Sequence, residues 1–195
     1  MKIERSFYTR QDVVQIAKDL VGKYIFTNFG SELSGGIITE TEAYEGVTDR
    51  ASHAYGGKRT KRTKVMYSHG GVAYVYLCYG IHSLFNIVTN QKDIPHAVLI
   101  RSIFPIEGIE IMKMRTRKQQ IMANSGNGPG KVSKLLGIHF DQTGIDLSGD
   151  IIWLEDRGVD MNNWIQSGKR IGIAYAGTDA LLPYRFWVQE ENIMI

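Results

Sequence analysis

Glu42, Tyr44 and His53 sit in a stretch whose residue types suit acid–base chemistry on a flat ligand. The run Ile37-Ile38-Thr39-Glu40-Thr41-Glu42-Ala43-Tyr44 starts as an apolar strand and turns acidic while the strand pattern continues. A carboxylate there is either partly desolvated, which raises its proton affinity, or paired with a base, which lowers it. Glu42 is therefore a candidate general base and equally a candidate salt-bridged or surface acid. Glu40 shares its strand parity, so either carboxylate could face a cleft. His53, eleven residues beyond Glu42, could do acid–base work, orient a ligand, bind a metal or be a satisfied structural histidine. Zinc as a rule takes three protein ligands. The chain has no HExxH or CxxC and only one cysteine, so a zinc site is not expected.

A second stretch, Gly71-Val72-Ala73-Tyr74-Val75-Tyr76-Leu77-Cys78-Tyr79-Gly80, pairs naturally with the first. Val72 to Leu77 reads as a strand with Tyr74 and Tyr76 on one face. Tyr79-Gly80-Ile81 reads as a turn and His82 to Val88 as the return strand, a β-hairpin. Tyr44 and Tyr76 are either two walls of a slot for a heteroaromatic ligand such as a nucleobase or ordinary sheet packing. Tyr79, at the turn tip, has the place of a wedge that enters a base stack. Asn86, inside a strand pattern, could bond a base edge or backbone. Arg101 could bond a phosphate or a structural carboxylate. Cys78 reads as a small buried hydrophobe more than a nucleophile.

Charge is unevenly spread. Residues 40 to 49 carry four acids and no base, whereas residues 50 to 64 carry six bases and no acid. The run Lys58-Arg59-Thr60-Lys61-Arg62-Thr63-Lys64 is either solvated surface or a phosphate contact. The net charge of +3 is only a weak pointer to a polyanion. With one cysteine no intrachain disulfide is possible. No apolar run reaches the length of a membrane span. The first residues lack a signal-peptide core, so a cytoplasmic protein is expected.

The elements that must position these residues follow from pattern. Thr9 is placed to cap a helix from about Arg10 to Val21, with Val13, Ile16, Ala17 and Leu20 as its buried stripe and Gly22 past its end. Lys23–Phe29 and Ile37–Thr41 read as strands, with Gly35-Gly36 as a break, a bulge or a close approach. Glu45 to Val65 reads as a long loop, unusual without a function. Ala97–Ile103 reads as a strand, and Pro105 as the entry to a helix from about Ile106 to Gln119. Lys131–Leu136 reads as a short helix whose first amides could hold a phosphate. Ile151–Leu154 reads as a strand, and Ile171–Ala174 with Arg185–Gln189 as a closing pair. Strands outnumber helices and hairpins dominate, which predicts one α+β domain over residues 1–195 around a largely antiparallel sheet.

The stretch Ile38–Tyr44, followed by Ala51-Ser52-His53 and Gly56-Gly57, resembles the alkyladenine (3-methyladenine) DNA glycosylase family of the mammalian type. So do Tyr74–Gly80, Asn86-Ile87, VLIR (98–101), GPGKVSKLLGI (128–138), Arg170–Ile173 and Pro183–Phe186, in order along nearly the whole chain. The resemblance implies a compact mixed domain with a curved sheet, flanking helices and a protruding hairpin. It implies that Glu42 activates water, that Tyr44, His53, Tyr76 and Asn86 line a base pocket, and that Tyr79 fills the gap left in the duplex. It implies that Arg101 contacts the DNA backbone and supports the site. The surface bases Lys58, Arg59, Lys61, Arg62, Lys64 and Lys131 would meet phosphates. The substrate implied is double-stranded DNA holding an alkylated, deaminated or etheno purine, acted on by a monomer without a lyase step and with no metal or cofactor. Two rivals stand beside it: a non-catalytic nucleic-acid binder, and a metal-dependent nucleobase deaminase or hydrolase around His53.

Overall fold

The computed structural model describes residues 1–193. The chain opens with a single helical turn, α1 (Arg5–Tyr8), and the helix α2 (Val13–Leu20). The second helix starts later than the sequence pattern predicts. Asp12 caps it by accepting from the Gln15 amide, while Thr9 ends α1 instead. Its stripe Val13, Ile16, Ala17 and Leu20 is buried against the sheet.

Strands β1 (Tyr24–Phe29) and β2 (Glu32–Tyr44) form a hairpin through Gly30-Ser31, both at positive φ. Gly35 and Gly36 do not break β2, which runs on as one long strand. They sit at a register shift, where the Phe26 ring lies over Gly35. A Cβ on Gly35 would come within 2.3 Å of that ring. Next come β3 (Val72–Cys78), β4 (His82–Thr89) and β5 (His96–Glu107). β5 carries straight through Pro105, where a helix was expected. Pro105 pairs with Gly36 at the same irregularity, a place where a missing N–H costs little. Helix α3 (Ile109–Thr116) starts only after Gly108 at φ +71°. The short β6 (Gly126–Asn127), helix α4 (Pro129–Leu136), β7 (Ile152–Glu155), β8 (Gln166–Gly168) and β9 (Arg185–Trp187) complete the fold. Residues 171–174 form no strand; β9 pairs instead with β8 and with Glu40–Glu42 of β2.

The result is an α+β arrangement on one antiparallel sheet, with main order β3-β4-β5-β2-β1-β7. The curved sheet is a wrong expectation: the strand path is open and does not curl round or close. Both edges already have partners. Ile145 and Gly144 bond Ala73 on the outer side of β3, Leu147 bonds Gly71 just before it, and Ile3 bonds Leu154 on the outer side of β7. Segments that bond an edge in this way leave fewer of its groups for another strand.

The long 45–71 segment is held by small apolar clusters of its own. Ala54, Met66 and Tyr67 pack on Tyr74, Val88 and Ala97. Ala51 packs with Ile173 and Ala176 beside Tyr44. The segment that carries His53 and the basic run is thus anchored at both ends over β3, β4 and β5. No helix among the described residues is long and apolar enough to cross a membrane.

Candidate active site

A cavity of about 430 Å³ opens between the β3–β4 hairpin, the 51–66 loop and the 171–175 segment. Tyr44, His53, Tyr76, Asn86 and Arg101 line it, and Tyr79 stands at its rim. Glu42 does not line it. Its residue is 0% exposed and sits immediately behind the wall. The backbone amide of Ile171 donates to Glu42 Oε1 at 2.7 Å, and Tyr44 Oη donates to Oε2 at 2.7 Å. Arg101 Nε lies 3.4 Å from Oε1. All three of those neighbours face the cavity.

Burial raises the Glu42 pKa and outweighs Arg101, the Ile171 amide and the Tyr44 hydroxyl, which pull the other way. An ionised carboxylate offers about four acceptor positions. Ile171 takes one on Oε1 and Tyr44 one on Oε2, while Arg101 adds its charge from 3.4 Å; each oxygen keeps one position open.

Arg101, 9% exposed, donates to Glu40 Oε1 at 3.0 Å and bridges Glu40 to Glu42. The structure thus makes it a carboxylate partner that shows one edge to the cavity. Asn86 has its Nδ2 committed to the carbonyls of Tyr74 and Leu84, both at 3.1 Å. That fixes the orientation of the amide and leaves Oδ1 as its free polar atom.

His53 Nδ1 is 2.7 Å from the Tyr74 hydroxyl, and its ring meets Tyr76 edge-on with centroids 4.6 Å apart. Burial, helped by the nearby Arg62 charge, lowers its pKa to about 4. The imidazole is neutral near pH 7. Burial likewise pushes the Tyr44 and Tyr76 hydroxyls up, so both rings stay protonated and neutral.

Tyr79 is 92% exposed, at φ +52° next to Gly80 at +74°. The left-handed turn aims its ring off the hairpin tip. Cys78, beside it, is half-buried on the cavity wall rather than enclosed in the core. In the basic run Lys58, Lys61, Arg62 and Lys64 are exposed, but only Arg62 reaches the cavity. Arg59 pairs with Asp93 and stacks on Tyr67, so it also braces the loop. Lys131 is exposed near the start of α4. Its own amide is used within the turn, donating to Gly128 at 2.9 Å, so the expected cradle of amides is incomplete.

Sequence reasoning missed several supports. Arg170 and Asp49 form a buried two-pronged ion pair, and Arg170 also donates to the Ala43 carbonyl at 2.8 Å. That clamp places Ile171 against Glu42. Tyr175, 71% exposed, is a second large ring on the cavity wall. Exposed rings announce themselves only when burial is known. The motif Arg170–Ile173 was visible in the sequence, but its partner Asp49 was not.

A profile of the methylpurine-DNA glycosylase family matches residues 6–192. The chain belongs to that family, and is a base-excision-repair DNA glycosylase, a hydrolase of N-glycosidic bonds. Its similarity to individual proteins is nearly full-length. A protein of Chlamydia abortus described as a 3-methyladenine DNA glycosylase is 42% identical over 191 residues, covering 97% of this chain and 100% of the relative. One from Clostridium perfringens with the same description is 40% identical, covering 100% and 98%. One from Clostridium novyi is 41% identical, covering 98% and 96%. Among the described residues, no group of three or more His, Cys, Asp or Glu is placed to hold a metal ion.

Proposed function

We propose that this chain, acting as a monomeric, cytoplasmic single-domain enzyme, releases alkylated purines of the 3-methyladenine type from duplex DNA through a pocket of the mammalian kind. Hypoxanthine and ethenoadenine are proposed as further substrates. The observation that supports this most is the buried Glu42 carboxylate set directly behind a cavity walled by Tyr44 and Tyr76.

In this reading the exposed lysines and arginines of the 58–64 run, with Lys131, neutralise phosphates. Tyr79 fills the gap in the stack while the damaged nucleotide turns out. The flipped base lies between the rings of Tyr44 and Tyr76, which suits a flat and often cationic lesion. Neutral His53 and the fixed Asn86 amide meet its edges. Arg101 supports the site through its two carboxylates and, with its cavity-facing edge, the DNA backbone.

Glu42 then takes a proton from water at Oε2, beside the Tyr44 hydroxyl. The water oxygen bonds to the sugar C1′, and the glycosidic bond breaks with its electron pair going to the base. Positive charge that develops on the sugar is stabilised by the nearby carboxylate. A base made cationic by alkylation leaves neutral and needs no acid. Among the described residues no lysine lines the cavity, in keeping with hydrolysis that ends at an abasic site.

Duplexes carrying one defined lesion each, scored for free base and for abasic sites, test this. Release of 3-methyladenine without strand cleavage is the expected result. Release from undamaged duplex at the same rate, or a nick without added amine or alkali, contradicts it.

A further inference from the structure

β2 presents two carboxylates on one side, and a single guanidinium sits between them. Arg101 Nε is 3.0 Å from Glu40 Oε1 and 3.4 Å from Glu42 Oε1. The tighter contact is thus with Glu40. Arg185 Nη1 approaches the same Glu40 oxygen at 3.2 Å. Glu40 and Glu42 lie two residues apart on β2, and the ladder between β2 and β5 shifts register on both sides of Glu40. Glu40 also faces a separate groove of about 310 Å³, shared with Ser102, Asn127, Arg185 and Glu190. That groove gives Glu40 solvent contact that the fully buried Glu42 lacks.

We propose that Glu40 is a positioning residue: it draws Arg101 away from Glu42, so that the carboxylate behind the cavity shares its cation instead of owning it. This rests on Glu42 as the water-activating group. A general base bound tightly to a guanidinium is a weak base. Sharing Arg101 keeps Glu42 basic while the cation still steadies it. The Glu40 charge acts in the same direction by direct repulsion. The other groups that act on Glu42 or feel its charge are Tyr44 on β2, Tyr76 on β3, and Arg170 and Tyr175 from the 170–175 segment. Neutral His53 lies across the cavity. None of these touches Glu40 within hydrogen-bonding distance, so a change at Glu40 reaches Glu42 through Arg101 and through charge alone.

The test is the pH profile of kcat/KM on duplex containing 3-methyladenine, whose positive charge is fixed and does not titrate with the enzyme. Activity rises with pH as Glu42 ionises. Glu40→Gln leaves Arg101 to Glu42, and the acid limb moves down by about half a unit, so the variant keeps roughly threefold more of its pH 8 activity on that limb. Arg185→Gln leaves Glu40 with Arg101 alone, and the limb moves up. A purely structural role lowers the rate at every pH and leaves the limb where it is. An unshifted limb in Glu40→Gln, or in Arg185→Gln if the first does not fold, overturns the proposal. Glu42→Gln runs as the control: if that variant keeps its activity, the Glu42 reading itself has failed rather than this addition to it.

Discussion

The backbone amide of Ile171 donates to Glu42 Oε1 at 2.7 Å across 129 residues of sequence. Ile171 is exposed and has no deep packing of its own to hold that amide in place. The preceding residue holds it. Arg170 is locked by Asp49, by the carbonyls of Ala43 and Asp179, and under the rings of Tyr44 and Tyr184.

Arg170→Met therefore tests two effects at once. It leaves Asp49 buried and unpaired, which costs about 3–5 kcal/mol of stability. It also frees the Ile171 amide from Glu42. Urea unfolding is expected to show the loss of stability. kcat measured where the variant is still folded should fall as well. A variant as stable as the parent would contradict the clamp.

The buried, neutral His53 makes stability depend on pH. Its folded pKa is about 4 against 6.5 for the free side chain. Between those values the unfolded chain takes up a proton that the folded chain refuses. The stabilisation is complete above pH 6.5 and is lost as pH falls toward 4, by about 3 kcal/mol in all. His53→Gln removes that proton uptake. Unfolding free energies at pH 7.5 and 4.5 should fall less in the variant than in the parent by about that amount. Equal falls would contradict it.

Tyr79 separates stability from function. Its φ of +52° is unfavourable for any residue with a Cβ. Tyr79→Gly relieves that cost, so Tm should stay level or rise. Base release from duplex should drop by about tenfold or more, since filling a broken stack is worth over a kcal/mol. Release from single-stranded DNA should change much less. Equal losses on both substrates would remove the wedge role.

The basic run makes a salt prediction. Lys61 is exposed and has no ion-pair partner among the described residues. Lys61→Gln should weaken binding to all duplexes alike and reduce the salt slope by about 0.9. Arg59→Gln should also loosen the loop, because Arg59 holds Asp93 and Tyr67. An unchanged slope in Lys61→Gln would place that residue off the DNA.

Much of this was legible where chemistry and local pattern agree. The β3–β4 hairpin, its Tyr79 turn and the end of α4 at Gly137 follow from short-range signals, and the structure has all three. Tyr44, His53, Tyr76 and Asn86 do gather on one cavity. What failed was long-range. Pro105 reads as a helix entry until the bulge opposite Gly35-Gly36 is known. Residues 171–174 look like a strand, yet Arg170 ties them to the site instead. The sheet is open, with residues 143–147 and the N-terminal residues bonding its edges, and neither segment carries a strand pattern. The retreat of Glu42 behind the wall depends on three partners spread over β2, β5 and the 171 segment.

In the proposed function Glu42 activates water from behind the cavity wall. Its folded carboxyl holds a proton more tightly than the unfolded one because burial dominates. Its charge therefore costs stability as pH rises through that window, and the neutral Glu42→Gln should show a Tm at pH 8 that is level or higher. Single-turnover release of 3-methyladenine by Glu42→Gln, with DNA binding measured alongside, tests the claim most directly. Binding should be unchanged and release should fall by about 100- to 10,000-fold. Release within about threefold of the parent, below the smallest effect expected of a general base, would contradict it.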